Sequence, residues 1–152
     1  MTKVLSRAQL RYLRRARVGR LATVDRRNVI HIVPIVFASS GDGIYFVVDR
    51  KKKTGKRLKR VRNISETGKA ALLVDHYSER WEKLSYLLIQ CAAKIVSESE
   101  LKEKILVAKK LKEKYPQYAR GSYFPRKLDE AIFVCLVPER VIFWQNLRVA
   151  SV

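Results

Sequence analysis

The sequence predicts a mainly β domain, a small antiparallel barrel of six or seven strands with helices on its periphery. Two observations carry that reading. Short apolar, β-branched runs recur between turn-rich segments, whereas helical spacing is confined to three stretches. The length, 152 residues, suffices for one hydrophobic core and falls short of two. Neither internal repeat nor low-complexity linker interrupts the chain, so residues 1–152 read as one domain.

Residues 4–19 read as an opening helix. Ser6 is the N-cap, Gln9 completes a capping box, Leu5 is placed to staple against Leu10, and Gly19 is placed to end the helix. Leu10 and Leu13 form a narrow apolar stripe, while Arg7, Arg11, Arg14, Arg15 and Arg17 spread over the rest, so this helix belongs on the surface. Strands follow at residues 20–24, 29–38 and 44–48, with turns at 25–28 and 39–43, as in a β-meander. The second of these strands is nearly all apolar, which predicts cover on both faces, as in a barrel wall at a subunit interface. Pro34 lies in its middle and cannot donate to a ladder, so it must occupy an edge, a bulge or a ligand-facing position. Further strands are expected at 70–76, 85–96 and 131–137, the last continuing past Pro138 into 141–144. Helical spacing appears at 56–64, through Leu58, Val61 and Ile64. It appears again at 97–115, with a Ser97/Glu100 capping box, a face of Leu101, Ile105, Ala108 and Leu111, and Pro116 to close it.

A hydrophobic share of 47% with 31% charged residues is that of a folded globular protein. No stretch approaches the roughly 20 apolar residues that span a bilayer. The Arg-rich N-terminal segment lacks the apolar core of a secretory signal, and a cytoplasmic location is expected. Cys91 and Cys135 each sit in an apolar strand-like run, far from metal-ligand spacing, and read as buried free thiols in preference to a disulfide. No metal is assigned: His31 has no second ligand at metal spacing and reads as a hydrogen-bonded structural histidine. Asp75-His76-Tyr77 has no nucleophile to serve, and neither a GxSxG elbow, a GxGxxG fingerprint nor a Walker A sequence is present.

Charge is the strongest compositional signal. Thirty-three Lys and Arg against 14 Asp and Glu give a formal net charge of +19, so an anionic partner is expected. The densest cluster is RKKKTGKRLKRVR at residues 50–62, where nine of thirteen residues are basic. A run of like charge repels itself, and helix N–H groups near Thr54, Gly55 and Lys56 would add donors, so the segment reads as a phosphate site.

The order and spacing of several fragments resemble the pyridoxamine 5′-phosphate oxidase-like superfamily of FMN-binding split β-barrels, nearest to its F420-dependent branch. The fragments are ARVGRLATVD at 16–25, HIVPIVFA at 31–38, IYFVVD at 44–49, KRLKRVRNI at 56–64, ALLVDHY at 71–77 followed by Trp81, and KYPQY at 114–118. The resemblance implies a homodimer with two cofactor sites at the subunit interface and a flavin or deazaflavin ring against the second strand. Val33, Pro34 and Ile35 would face that ring, partly through backbone groups. A basic pair ahead of Asn63-Ile64 would hold the phosphate; the alignment places it at Lys59 and Arg60, with Lys53, Thr54, Lys56 and Arg57 nearby. Leu58 stands where the FMN enzymes carry a small hydroxyl residue, and the basic approach is longer than theirs.

Two functions of different class follow. One is an FMN- or F420-dependent oxidoreductase acting on a small molecule, in which the cofactor carries the hydride and no side-chain triad is needed. The other is a basic nucleic-acid-binding module without activity, supported by the net charge and the Arg-rich first helix, yet lacking a known motif or a paired aromatic platform. The acidic oligoglutamate tail of F420 suits the excess of Lys and Arg better than FMN does.

Overall fold

The computed structural model describes residues 4–49 and 57–146. The strands are β1 (Gly19–Val24), β2 (Ile30–Ile35), β3 (Ala38–Ser40), β4 (Gly43–Val47), β5 (Lys69–His76), β6 (Ser85–Ile95) and β7 (Phe133–Gln145). The helices are α1 (Arg7–Arg15), α2 (Lys59–Thr67), α3 (Leu101–Lys114) and α4 (Pro116–Arg120). All seven strands join one antiparallel sheet in the order β2-β1-β5-β6-β7-β4-β3, curled into a half-barrel with the helices outside it. The predicted split β-barrel class is the observed one. No helix among the described residues is long and apolar enough to cross a membrane.

The concave face of the sheet encloses the main core: Leu21 from β1, Leu72 and Val74 from β5, Leu87 and Ile89 from β6, and Val134 and Leu136 from β7. These positions alternate with outward ones because strand side chains have a period of two. Each such side chain contributes about 1.5–3 kcal/mol by leaving water. α1 closes the open end with Leu13, which is fully buried, and the predicted capping box is present in both directions: the Ser6 N–H donates to Gln9 Oε1 at 2.8 Å and the Gln9 N–H to Ser6 Oγ at 3.2 Å.

Gly19 does not end that helix. α1 stops at Arg15 with Ala16 as its cap, and Gly19 opens β1, where a Cβ would come within 2.6 Å of Leu72 Cδ1. The residue is glycine because two strands approach there, a reason local sequence does not reveal. The apolar run at residues 29–38 likewise divides into β2 and β3, which lie at opposite edges of the sheet. Between them the fully buried Phe37 leaves the ladder. Pro34 sits on an edge strand, as its missing N–H requires.

β7 runs unbroken through Pro138, but its register against β6 shifts between Gln90 and Cys91, leaving Glu139 bulged between Pro138 and Arg140. The bulge absorbs the ladder bond that Pro138 cannot make. On the other side of β4 and β7 a second core holds Tyr45, Val47, Phe133 and Cys135 against Val107, Ala108 and Leu111 of α3 and Tyr115, Tyr118 and Phe124 beyond it. Cys91 belongs to the first core and Cys135 to the second, and both are free thiols, as expected.

α3 departs from its predicted face. Leu101 and Ile105 are exposed, and the inward row is Lys104, Val107, Ala108 and Leu111. Lys104 can take a core position because its ammonium donates to the backbone carbonyls of Asp129 at 3.1 Å and Ala131 at 2.9 Å, tying the loop before β7 to the helix. The Ser97/Glu100 capping box is absent as well: Ser97 Oγ accepts from the Ser99 N–H, and Glu100 is the N-cap without a side-chain bond.

β2 is not covered on both faces within the chain. Ile30 and Ile32 are 68% and 63% exposed, and Pro34 is exposed beside them. The antiparallel register extends this outward surface across the sheet, from Pro34 opposite Arg20, through Leu73 and Leu88, to Ile142. Tyr86 stacks on Trp144 at 5.8 Å on the same side. The ion pair between Arg20 and Asp75, at 2.6 Å, and the exposed Gln90 and Arg140 opposite one another are polar features of this face.

Candidate functional site

Tyr115 organises the site. Its hydroxyl accepts from the Phe37 N–H at 3.2 Å and shares its own proton between the carbonyls of Phe37 at 3.1 Å and Arg17 at 2.9 Å. It therefore serves the backbone where the chain leaves β2, since those groups have no strand partner there. The Arg17 guanidinium returns the contact, lying 4.7 Å over the Tyr115 ring and donating to the Lys114 carbonyl at 2.8 Å. Burial raises the Tyr115 pKa, with the Phe37 bond and the Arg17 charge acting against it.

A cavity of about 350 Å³ opens beside this knot. Arg17, Val36 and Asp49 line it from the sheet side; Tyr115, Gln117, Tyr118 and Tyr123 line it from the α3–α4 side. The Tyr118 hydroxyl donates to Asp49. Burial first, then that bond, holds the Tyr118 phenol far above its ordinary pKa, so it remains a proton donor.

Arg60, on the first turn of α2, faces the same acidic group. Burial pulls its guanidinium below the ordinary value, and the charge of Asp49 opposes that. Its Nε is buried with no hydrogen-bond partner among the described residues. A buried guanidinium nitrogen left open is costly unless an acceptor arrives. Lys59 takes another course. Its ammonium reaches Asp25 Oδ2 at 3.1 Å, while Asp25 Oδ1 accepts the backbone N–H groups of Arg27 at 2.8 Å and Val29 at 3.0 Å. The Val29 bond is the largest cause holding the Asp25 carboxyl below its usual pKa. Lys59 thus secures the β1–β2 turn, where Asn28 adopts a φ of 64°, and the paired role expected of Lys59 and Arg60 is divided between two places.

Val33, Pro34 and Ile35 do not present one side-chain surface. Ile35 is buried, Val33 packs partly against the core, and Pro34 points outward. What β2 presents to a ligand is an edge, paired only with β1. Lys53, Thr54 and Lys56 lie outside the described residues; Arg57 is exposed just ahead of α2. α2 itself starts at Lys59 and not at residue 56, with Leu58 as an N-cap that makes no side-chain bond.

Sequence reasoning missed Arg17, Asp49, Tyr115, Tyr118 and Tyr123. Two signals were available: Asp49 interrupts an apolar strand immediately before the basic run, and KYPQY packs two tyrosines and a helix-starting proline into five residues.

The sequence model of pyridoxamine 5′-phosphate oxidase matches residues 5–145. The chain belongs to that family. Solved structures agree on the fold. A conserved hypothetical protein of Mycobacterium tuberculosis superposes with a TM-score of 0.71 at 17% identity, covering 100% of this chain and 95% of its own. A heme storage protein of Vibrio cholerae gives 0.66 at 16% identity, with coverages of 87% and 89%. A protein described as an F420 reductase gives 0.64 at 21% identity, with coverages of 91% and 98%. Among curated protein sequences none matches.

Lys114 adds an electrostatic feature to this family member. Its ammonium sits 3.9 Å from the Phe37 ring centre with no hydrogen-bond partner among the described residues, and burial, reinforced by Arg17, lowers its pKa to about 8 from 10.5. Between those values the unfolded chain binds the proton more than the folded one, so stability rises with pH there. Above about 9 the buried Cys91 and Cys135 thiols, joined above about 10 by the Tyr115 and Tyr118 phenols, all with raised pKa values, reverse the trend because unfolding releases their protons. Urea midpoints are therefore expected to climb from pH 7.5 to about 9 and then fall. In Lys114→Met the climb should flatten; an equal climb in that variant would place its origin elsewhere.

Proposed function

We propose that this chain is a flavin- or deazaflavin-dependent oxidoreductase, using FMN or coenzyme F420 on a small-molecule substrate. The observation that supports the reading most is Arg60: a buried, open guanidinium nitrogen beside a tyrosine-lined cavity, on the helix that follows the densest basic run of the chain. The residues present fit a phosphate-bearing aromatic group. Arg60 has a nitrogen to offer a phosphate, Lys53, Thr54, Lys56 and Arg57 stand next to it in sequence, and β2 offers a free edge at Val33, Pro34 and Ile35.

Bound there, the ring system would supply hydride transfer, which none of these side chains can perform. The protein's part is orientation and charge. Arg60 and its basic neighbours hold the anion; Tyr115, Tyr118 and Tyr123 wall the cavity with rings; Arg17, which makes no ion pair among the described residues, is the cation available to orient a substrate. Tyr118 keeps its proton on the bond to Asp49 Oδ1.

We further propose that the protein is a homodimer in the cytoplasm. The outward face exposes Ile30, Ile32, Ile142 and Trp144 together, apolar surface that an interface with a second copy would cover. The two buried free thiols suit a reducing compartment.

FMN and F420 are each to be titrated into the purified protein by absorbance and equilibrium dialysis, with at least one expected to bind with micromolar or tighter affinity. Arg60→Ala should weaken that binding by about 10- to 100-fold, the worth of one or two charge-assisted hydrogen bonds, whereas Lys59→Ala should lower stability more than affinity. No retention of either cofactor would remove the oxidoreductase reading. Sedimentation tests the dimer separately. The wild type is expected at twice 17.7 kDa and Ile32→Asp with Ile142→Asp at the monomer mass; a monomeric wild type at micromolar concentration would refute it.

A further inference from the structure

Two surface helices, α1 and α3, carry their positive charge differently. α3 has six lysines and no arginine, interspersed with Glu103 and Glu113. α1 has four arginines, Arg7, Arg11, Arg14 and Arg15, with neither lysine nor acid. At 3.6 residues per turn the four fall within a sector of about 100°, on the side away from Leu13. All four are exposed, and none makes an ion pair among the described residues. Arg7 stands in the first turn, where the helix dipole already disfavours a cation. Solubility alone does not call for such a row, since the lysines of α3 supply it. Guanidinium groups differ from ammonium groups in offering a planar fork that matches a phosphate.

We propose that the arginine row of α1 is a binding surface for single-stranded nucleic acid. Successive turns place its guanidinium groups about 5–6 Å apart along the axis, a track for consecutive phosphates. An exposed ring lies four residues from a contact of this helix. Tyr12 of α1 bonds through its hydroxyl to Ser85 Oγ at 2.7 Å, which sets the start of β6, just after the turn Trp81–Lys83, against the helix. Trp81 is 61% exposed, and Asn146 fixes its backbone through a 2.8 Å bond to its carbonyl. Phosphates on arginines with a base on an aromatic ring is how sequence-tolerant single-strand binding is built. An anionic bilayer fits less well, because lipid binding by a cationic helix needs a free apolar face, and α1 has spent Leu10, Tyr12 and Leu13 on the barrel.

The test is fluorescence anisotropy of a labelled 20-nucleotide oligo(dT) with the full chain between 50 and 300 mM salt. Micromolar binding at low salt is expected. Arg7→Gln/Arg11→Gln/Arg15→Gln, its fold checked by circular dichroism, should bind at least tenfold more weakly and lower the slope of log affinity against log salt by about 2. The equal charge removal Lys102→Gln/Lys109→Gln/Lys112→Gln on α3 should leave both nearly unchanged. Trp81→Ala, which leaves α1 untouched, should weaken binding about tenfold and remove tryptophan quenching by the oligonucleotide. Absence of binding at 50 mM salt overturns the proposal, as does an equal loss in the α3 variant or a preference for phosphatidylserine vesicles over the oligonucleotide. FMN or F420 affinity measured on the α1 variant should be unaffected, so this proposal and the cofactor reading can fail independently.

Discussion

One tyrosine hydroxyl holds together the part of this fold that matters most. Where β2 gives way to β3 the chain must cross from one edge of the sheet to the other, and the backbone at Phe37 loses its strand partners while fully buried. Tyr115, at the end of α3, provides both a donor and an acceptor there and also reaches the Arg17 carbonyl just before β1. Three segments distant in sequence meet on a single oxygen. The cavity lined by Arg17, Val36, Asp49 and the tyrosines exists because those segments are held there.

That arrangement carries an electrostatic cost at each side. Lys114 is placed over Phe37 and beside Arg17, and Arg60 beside Asp49, with Lys114 Nζ and Arg60 Nε lacking a hydrogen-bond partner among the described residues. Asp49 is the carboxylate that faces Arg60 and Tyr118. Half-buried cations with an unpaired nitrogen are a poor way to stabilise a fold and a good way to prepare it for an anion. The same logic extends to the surface, where apolar residues on the outward sheet face are exposed and the arginines on α1 make no ion pair among the described residues.

Strand positions were legible because alternation and turn residues are local signals, and the capping box of α1 was legible because Ser6 and Gln9 need only each other. The inward face of α3 was not. A pattern of Leu101, Ile105, Ala108 and Leu111 looks apolar, but the true row is rotated to include Lys104, whose stem is apolar and whose ammonium finds carbonyls in a loop 25 residues away. The basic run pointed to Arg60, yet its neighbour Lys59 projects about 100° around the helix and meets Asp25 from the β1–β2 turn. Arg17, Asp49 and the Tyr115–Tyr118 pair come from three places in the chain, so no window of sequence contains the site they make.

Amide hydrogen exchange at Phe37, measured in the wild type and in Tyr115→Phe, tests the role of that hydroxyl most directly. In the wild type the Phe37 amide should exchange only through global unfolding, because its one acceptor is the buried Tyr115 oxygen. Removing that oxygen while keeping the ring should lower stability by about 1–3 kcal/mol. It should also let Phe37 exchange at least tenfold faster than its strand neighbours in the folded variant. A folded Tyr115→Phe protein in which Phe37 remains as protected as β1 and β5 would contradict the claim that this hydroxyl holds the bend and the cavity beside it.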